Sequence, residues 1–205
     1  MKSKTFGWIL LGGVGIGLTY VLLKASKAEA GDARIFLNRI SPYQSTITAY
    51  ASEFTLDEDL VKAVIWQESS GFPNAKRKEN DFYSYGLCGL TLIAAQDMGY
   101  LGTEEDLIEP DTNIHYATAY LRYQYERYGD LDKALVAYNA GHWTGNYTYA
   151  NQVWRKMAAI KDAKSSVLTI GFDLPKNMFL SSIMLCSPPY FFILPCFCPS
   201  RCRLS

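Results

Sequence analysis

The sequence predicts an all-α domain, mainly helical, between Ser41 and Lys164. Three observations predict it. Apolar residues recur at spacings of three and four, the apolar runs carry helix start and stop residues at their ends, and no stretch sustains the alternation of a strand.

The first helix lies in DEDLVKAVIWQESSGF, where Val61, Val64 and Ile65 share a face and Glu68 follows on it. Thr55-Leu-Asp-Glu58 reads as a capping box that opens this helix, and Gly71 followed by Pro73 closes it. A second helix is expected from Leu90 to Met98, stopped by Gly99. A third follows Pro110, with Asp111 as its cap, and runs through NIHYATAYLRYQYERY to Gly129. A fourth, LDKALVAYN, starts after Asp130 and ends at Gly141; a fifth spans Tyr147 to Ile160. Between the first two helices, Gly71 to Tyr85 reads as a long polar loop holding Lys76, Arg77, Lys78, Glu79, Asn80 and Asp81. Such a loop either does binding work or is simply solvated.

The two ends of the chain differ from this middle. Residues 1–30 read as a membrane-directed segment: Lys2 and Lys4 precede WILLGGVGIGLTYVLL, an uncharged run ending at Lys24. The stretch from Phe6 to Leu23 is long enough to span a bilayer, and Ala28-Glu29-Ala30 has the small-x-small form of a cleavage site. Lys24 and Lys27 between the two favour an anchor over a cleaved signal. Either way the rest of the chain is expected across a membrane, on the periplasmic side of a cell envelope. Residues 165–205 form an irregular tail with five prolines and four of the five cysteines. Cys186, Cys196, Cys198 and Cys202 leave several readings open: two disulfides, a metal knot, a membrane-associating tail, or a segment with no selected fold.

Twenty basic and twenty acidic side chains balance, so nothing points to a nucleic-acid partner. Outside that cysteine cluster the sequence offers no metal or cofactor site. Fifteen tyrosines, ten phenylalanines and four tryptophans are a heavy aromatic load; aromatic faces can serve as core or as platforms for sugar rings, and core is the expected use of most of them. Glu68 stands out because its helix face is otherwise apolar. A carboxyl group drawn from water keeps its proton to higher pH, which suits a general acid; the alternative is a helix-end Glu turned to solvent.

Three segments carry a resemblance: LVKAVIWQESSGFPNA, SYGLCGLTLIAAQDMGY and IEPDTNIHYATAYLRYQYERYGDLDKALVAYNAG. Over residues 44 to 160 they resemble, in order, the signatures of the soluble lytic transglycosylase family of lysozyme-like enzymes. The resemblance implies a lysozyme-like fold and cleavage of the β-1,4 bond between N-acetylmuramic acid and N-acetylglucosamine in peptidoglycan. The sugar's own 6-hydroxyl attacks, leaving a 1,6-anhydro end, so one carboxyl group suffices and Glu68 is the candidate acid/base.

The resemblance also implies substrate-binding positions. Ser69 either orients Glu68 or finishes its helix. Ser84 and Gly86 line the floor of the cleft. Tyr138 and Asn139, in AYNAG, hold the Glu68 carboxyl group or the substrate's acetamido group. Tyr149 sits where similar proteins have a tyrosine shortly before the closing helix, and serves either in the cleft or as a packed core tyrosine. Where the family has Gly-Leu-Met-Gln, this chain has Gly86-Leu87-Cys88-Gly89. Cys88 and Gly89 thus replace the Met and Gln of the cleft, which implies altered sugar contacts. Two rivals stay open: a weakly active or non-catalytic cell-wall component of a phage particle or envelope machine, and a hydrolytic lysozyme that draws a carboxylate from residues 79 to 81.

Overall fold

The computed structural model describes residue 29, residues 31–79 and residues 82–170. The apolar N-terminal run and the cysteine-bearing part of the tail lie outside the described residues. No helix among the described residues is long and apolar enough to cross a membrane. The chain divides into one unit ending at Leu168, which carries the core, the sheet and the cleft, and a second from Thr169 to Ser205.

The helical class is as expected, with two helices ahead of those read from the sequence. Helix α1 covers residues 31–40, a 3-10 turn covers Ser41–Tyr43, and α2 covers Gln44–Glu53. Helix α1 belongs to the core. Phe36 stacks on Trp66 with ring centroids 5.0 Å apart and an interplanar angle of 9°. The Arg39 guanidinium donates to the Ser70 carbonyl at 2.6 Å, at the end of the helix Glu58–Ser69.

Helix α3, Glu58–Ser69, buries Leu60, Val61, Ala63, Val64 and Ile65. Its cap is not the Thr55 box. Thr55 sits in a turn at φ 54°, and Asp57 instead accepts from the Asp59 amide at 2.8 Å. Glu58 cannot reach back to cap, because it faces the protein: Lys62, 2% exposed, donates to it at 2.5 Å and Thr48 at 2.8 Å. Burial opposes ionisation of Glu58, yet hydrogen bonds from Lys62, Thr48 and Gln44 hold its carboxyl down to about 2.

The polar loop is a hairpin. Strand β1, Lys76–Glu79, pairs antiparallel with β2, Phe82–Tyr85, which pairs with the short β3, Leu90–Thr91. The register sets Arg77, Ser84 and Thr91 side by side on one face, and Lys76, Tyr85 and Leu90 on the other. Tyr85 and Leu90 are buried, and the Lys76 ammonium lies 4.9 Å from the Tyr85 ring centre. One face of the sheet therefore seals the core and the other is left to the cleft.

Helix α4, Leu92–Asp97, starts two residues after the expected Leu90, because Leu90 and Thr91 join the sheet and Thr91 caps the helix. After a 3-10 turn at Glu105–Ile108 comes α5, Pro110–Tyr128. Glu109, not Asp111, is its cap, accepting from the Thr112 amide at 3.0 Å; Pro110 fills the first position, where a missing N–H costs nothing. Helix α6, Leu131–Ala140, is bounded as expected by Asp130 and Gly141. Helix α7, Thr148–Ile170, runs ten residues beyond the expected end at Ile160 and takes in the start of the assigned tail. The extension is used: Ala163, with Ala159 one turn before it, meets Ala33 of α1, and Arg34 donates to Ser166 at 2.6 Å. Helix α5 lies in the centre, packed by α2, α4 and α6, with Ile114, Ala117 and Leu121 buried.

Candidate active site

Glu68 is the penultimate residue of α3, and its side chain is 5% exposed. Both carboxylate oxygens are held. The Tyr149 hydroxyl donates to Oε1 at 2.6 Å, and the Arg77 guanidinium donates to Oε2 at 3.1 Å. Burial pushes the Tyr149 phenol well above its ordinary 10, and the charge of Glu68 adds to it, so Tyr149 stays a donor.

The carboxyl group stands where two lobes of a cleft meet. The larger, about 830 Å³, is bordered by the sheet face (Arg77, Ser84, Thr91), by Ile93 and Asp97 of α4, and by Tyr138. The smaller, about 420 Å³, is bordered by Gln67, Asn146, Tyr149 and Gln152 among others. Glu68, Arg77, Asn139 and Ala140 belong to both. Openness on either side of one carboxyl group suits a polymer that passes over it.

The sequence-assigned residues divide. Glu68, Ser84, Gly89, Tyr138, Asn139 and Tyr149 border the cleft. Ser69 does not orient Glu68: its hydroxyl donates to the Ile65 carbonyl at 3.2 Å and accepts from the Gly71 amide at 3.1 Å, closing the helix. Tyr138 does not hold Glu68 either. Its hydroxyl donates to the Cys88 carbonyl at 2.7 Å, and Tyr149 does the holding.

Gly86 and Cys88 border neither lobe. Gly86, at φ 73°, packs on Asn113, whose Nδ2 would lie 2.4 Å from a Cβ placed there. The Cys88 side chain sits in the core with Val61, Val64 and Leu121, and burial, followed by the charge of Glu68, pushes its thiol up. The missing methionine is thus replaced on the core side rather than in the cleft.

Gly89 lies against the carboxyl group itself. At φ 60°, a Cβ there would come within 2.6 Å of Glu68 Oε2. Arg77 stands in the segment that the sequence presents only as a polar loop. Strand alternation, which sets Arg77 on the opposite face from Lys76 and Lys78, is the signal that singles it out. Asp97 borders the larger lobe, while residues 80 and 81 lie outside the described set. Among the described residues no cluster of His, Cys, Asp or Glu is arranged to hold a metal ion.

A mainly helical unit with a three-stranded sheet thus places one buried carboxyl group at the junction of a two-lobed cleft, an arrangement that suits proton transfer to an extended ligand. The family model described as the transglycosylase SLT domain matches residues 45–160, more than half of the chain, and the chain belongs to that family. A transglycosylase of Enterobacteria phage PRD1 is 34% identical over 102 residues, which are 50% of this chain and 36% of the phage protein. The X polypeptide of Escherichia coli is 28% identical over 141 residues, 63% of this chain and 82% of that protein. Among solved structures, an inactive mutant of the lytic transglycosylase Slt from Pseudomonas aeruginosa matches with a TM-score of 0.44 and 24% identity, over 61% of this chain and 22% of that one.

Proposed function

We propose that this protein is a peptidoglycan lytic transglycosylase in which Glu68 is the single acid and base. The observation that carries the reading is the buried Glu68 carboxyl group, oriented by Tyr149 at the meeting point of both lobes. A glycan strand lies along the cleft with the scissile bond over Glu68. The carboxyl group gives its proton to the leaving 4-oxygen as the C1–O4 bond breaks. The resulting carboxylate then takes the proton of the 6-hydroxyl as the C1–O6 bond forms. The cycle ends with Glu68 protonated again and no water consumed.

Asn139, exposed between the lobes, takes the acetamido group, and Ser84 and Gly89 form the floor. The uncharged N-terminal run supports delivery of this unit across a membrane to the cell wall, by anchor or by export. The relative in phage PRD1 supports phage components as partners.

Digestion of purified sacculi with the full chain, read by mass spectrometry, tests the proposal. Anhydro-muropeptides as the main products are expected. Reducing ends would replace the lyase by a hydrolase, a reading that Asp97 favours because it borders the same lobe as Glu68. Binding without products would reduce the protein to a wall-binding component.

Gly89 makes a second test, one that separates this chain from the family pattern. Putting the family's glutamine back is expected to harm the enzyme, because its Cβ would meet Glu68 Oε2 at 2.6 Å. A carboxyl group pushed by about 1 Å costs on the order of 10²-fold in rate. Gly89→Gln and Gly89→Ala should both lose activity in the sacculus assay; a gain for Gly89→Gln would contradict this geometry.

A further inference from the structure

The contact between Arg77 and Glu68 conflicts with the start of the reaction. A general acid must carry a proton when the sugar arrives, and a guanidinium 3.1 Å from Oε2 attracts the carboxylate and repels a proton there. Among the described residues, Tyr138, Tyr149, Cys88 and Lys156 also feel the charge of Glu68. The two phenols and the thiol are pushed up and stay neutral, while Lys156 donates to Gln67 at 2.6 Å. Among the described residues, Arg77 is a cation in hydrogen-bond contact with the carboxyl group from the cleft side.

Arg77 is also placed to leave. It stands on strand β1, its side chain is 55% exposed, and it borders both lobes. The guanidinium can be reached from the cleft, while the carboxyl group behind it stays buried. A guanidinium fork matches a carboxylate in two parallel hydrogen bonds. The substrate carries such groups, either on the lactyl side chain of its muramic acid or on the attached stem peptide.

We infer that Arg77 is a substrate-operated positioning residue: a carboxylate of the bound glycan takes its guanidinium from Glu68, and Glu68, released, picks up the solvent proton that it then donates to the leaving oxygen. The protein is thereby held in its unreactive charge state until an anionic glycan fills the cleft. This rests on the lytic transglycosylase reading, with the substrate charge as the added element.

Three soluble glycans test it with the full chain: one with stem peptides, one without peptides but with free lactyl carboxylates, and one whose carboxylates have been amidated. The wild type is expected to prefer at least one carboxylate-bearing glycan over the amidated one by about tenfold in kcat/KM, the worth of one charge-assisted contact. Whichever of the two shows the preference names the source of the carboxylate. Arg77→Gln should erase the preference to within about twofold, mainly through KM, and Arg77→Lys, which keeps the charge without the fork, should fall between. Arg77 is exposed, so unchanged thermal melting is expected for both variants.

A binding arm needs no turnover. Glu68→Gln removes the competing carboxylate, so this variant should bind the preferred anionic glycan more tightly than the wild type does. The double variant Glu68→Gln with Arg77→Gln should lose that gain. A preference that survives in Arg77→Gln, or a gain that survives in the double variant, overturns the inference. If the wild type makes no anhydro product, the enzymatic reading falls and the binding arm alone decides whether Arg77 captures a carboxylate.

Discussion

Glu68→Gln is expected to cut the release of anhydro-muropeptides by about 10³-fold, because in the proposed cycle both proton transfers pass through this one carboxyl group and acid–base catalysis is worth 10²–10⁴. The substitution is nearly isosteric, and Tyr149 can donate to the amide oxygen as it does to Oε1 at 2.6 Å. Folding should be spared: a thermal melt within a few degrees of the wild type is expected alongside the lost activity, which separates chemistry from stability. Glu68→Ala would be a poorer probe, since it strips the partner from Tyr149 and from Arg77 together. Unchanged turnover in Glu68→Gln would remove Glu68 from the mechanism. Asp97, the other carboxylate bordering the larger lobe, would then become the candidate.

Signals that act locally are the ones legible in the sequence. The bounds of helix α6 are legible because Asp130 and Gly141 act on their own turns, the first accepting from the Lys133 amide at 2.9 Å. Glu68 is legible from motif order and from its place on an apolar face. The sheet is not. Strand β1 reads Lys-Arg-Lys-Glu and β3 is two residues long, so neither carries a hydrophobic alternation, and their pairing is decided by the packing of Tyr85 and Leu90. Helix α1 escapes a sequence reading for a related reason, since Phe36 and Ile40 make sense only against Trp66 and the rest of the core.

The cap at Thr55 fails because a competing contact wins: the carboxylate needed to reach back is taken by buried Lys62. The segment Gly86 to Gly89 is legible as a motif but not as a surface. A turn sends neighbouring side chains to different places, Cys88 into the core and Gly89 against Glu68.

That turn is tied to helix α5 by one side chain, and its removal should carry the largest stability cost in the domain. Asn113, fully buried on α5, accepts from the Cys88 amide at 2.8 Å and donates to the carbonyls of Tyr85 and Leu107, each at 2.8 Å. It thereby ties the end of β2, the 86–89 turn and the 3-10 turn at Glu105–Ile108 to the central helix.

Asn113→Ala orphans three buried backbone groups at about 1–3 kcal/mol each. Water entering the space lowers the sum, so a loss of about 4 kcal/mol is expected. Against a total of about 5–15 kcal/mol this is a large fraction. It should appear as a clear fall in the urea midpoint with an unchanged slope. Asn113→Asp keeps the acceptor for Cys88 but faces two carbonyls with a charge at a site that is 0% exposed, so at neutral pH it should be no more stable than Asn113→Ala.

In the folded fraction of Asn113→Ala the turn keeps the Tyr138 hydroxyl on the Cys88 carbonyl but loses its tie to α5, which loosens Gly89 against Glu68 Oε2. Specific activity should therefore fall further than the folded population does. A loss below about 1 kcal/mol in Asn113→Ala would mean that these three hydrogen bonds do not fix the turn. Folded protein with full specific activity would mean that the floor of the cleft is held by the sheet rather than by Asn113.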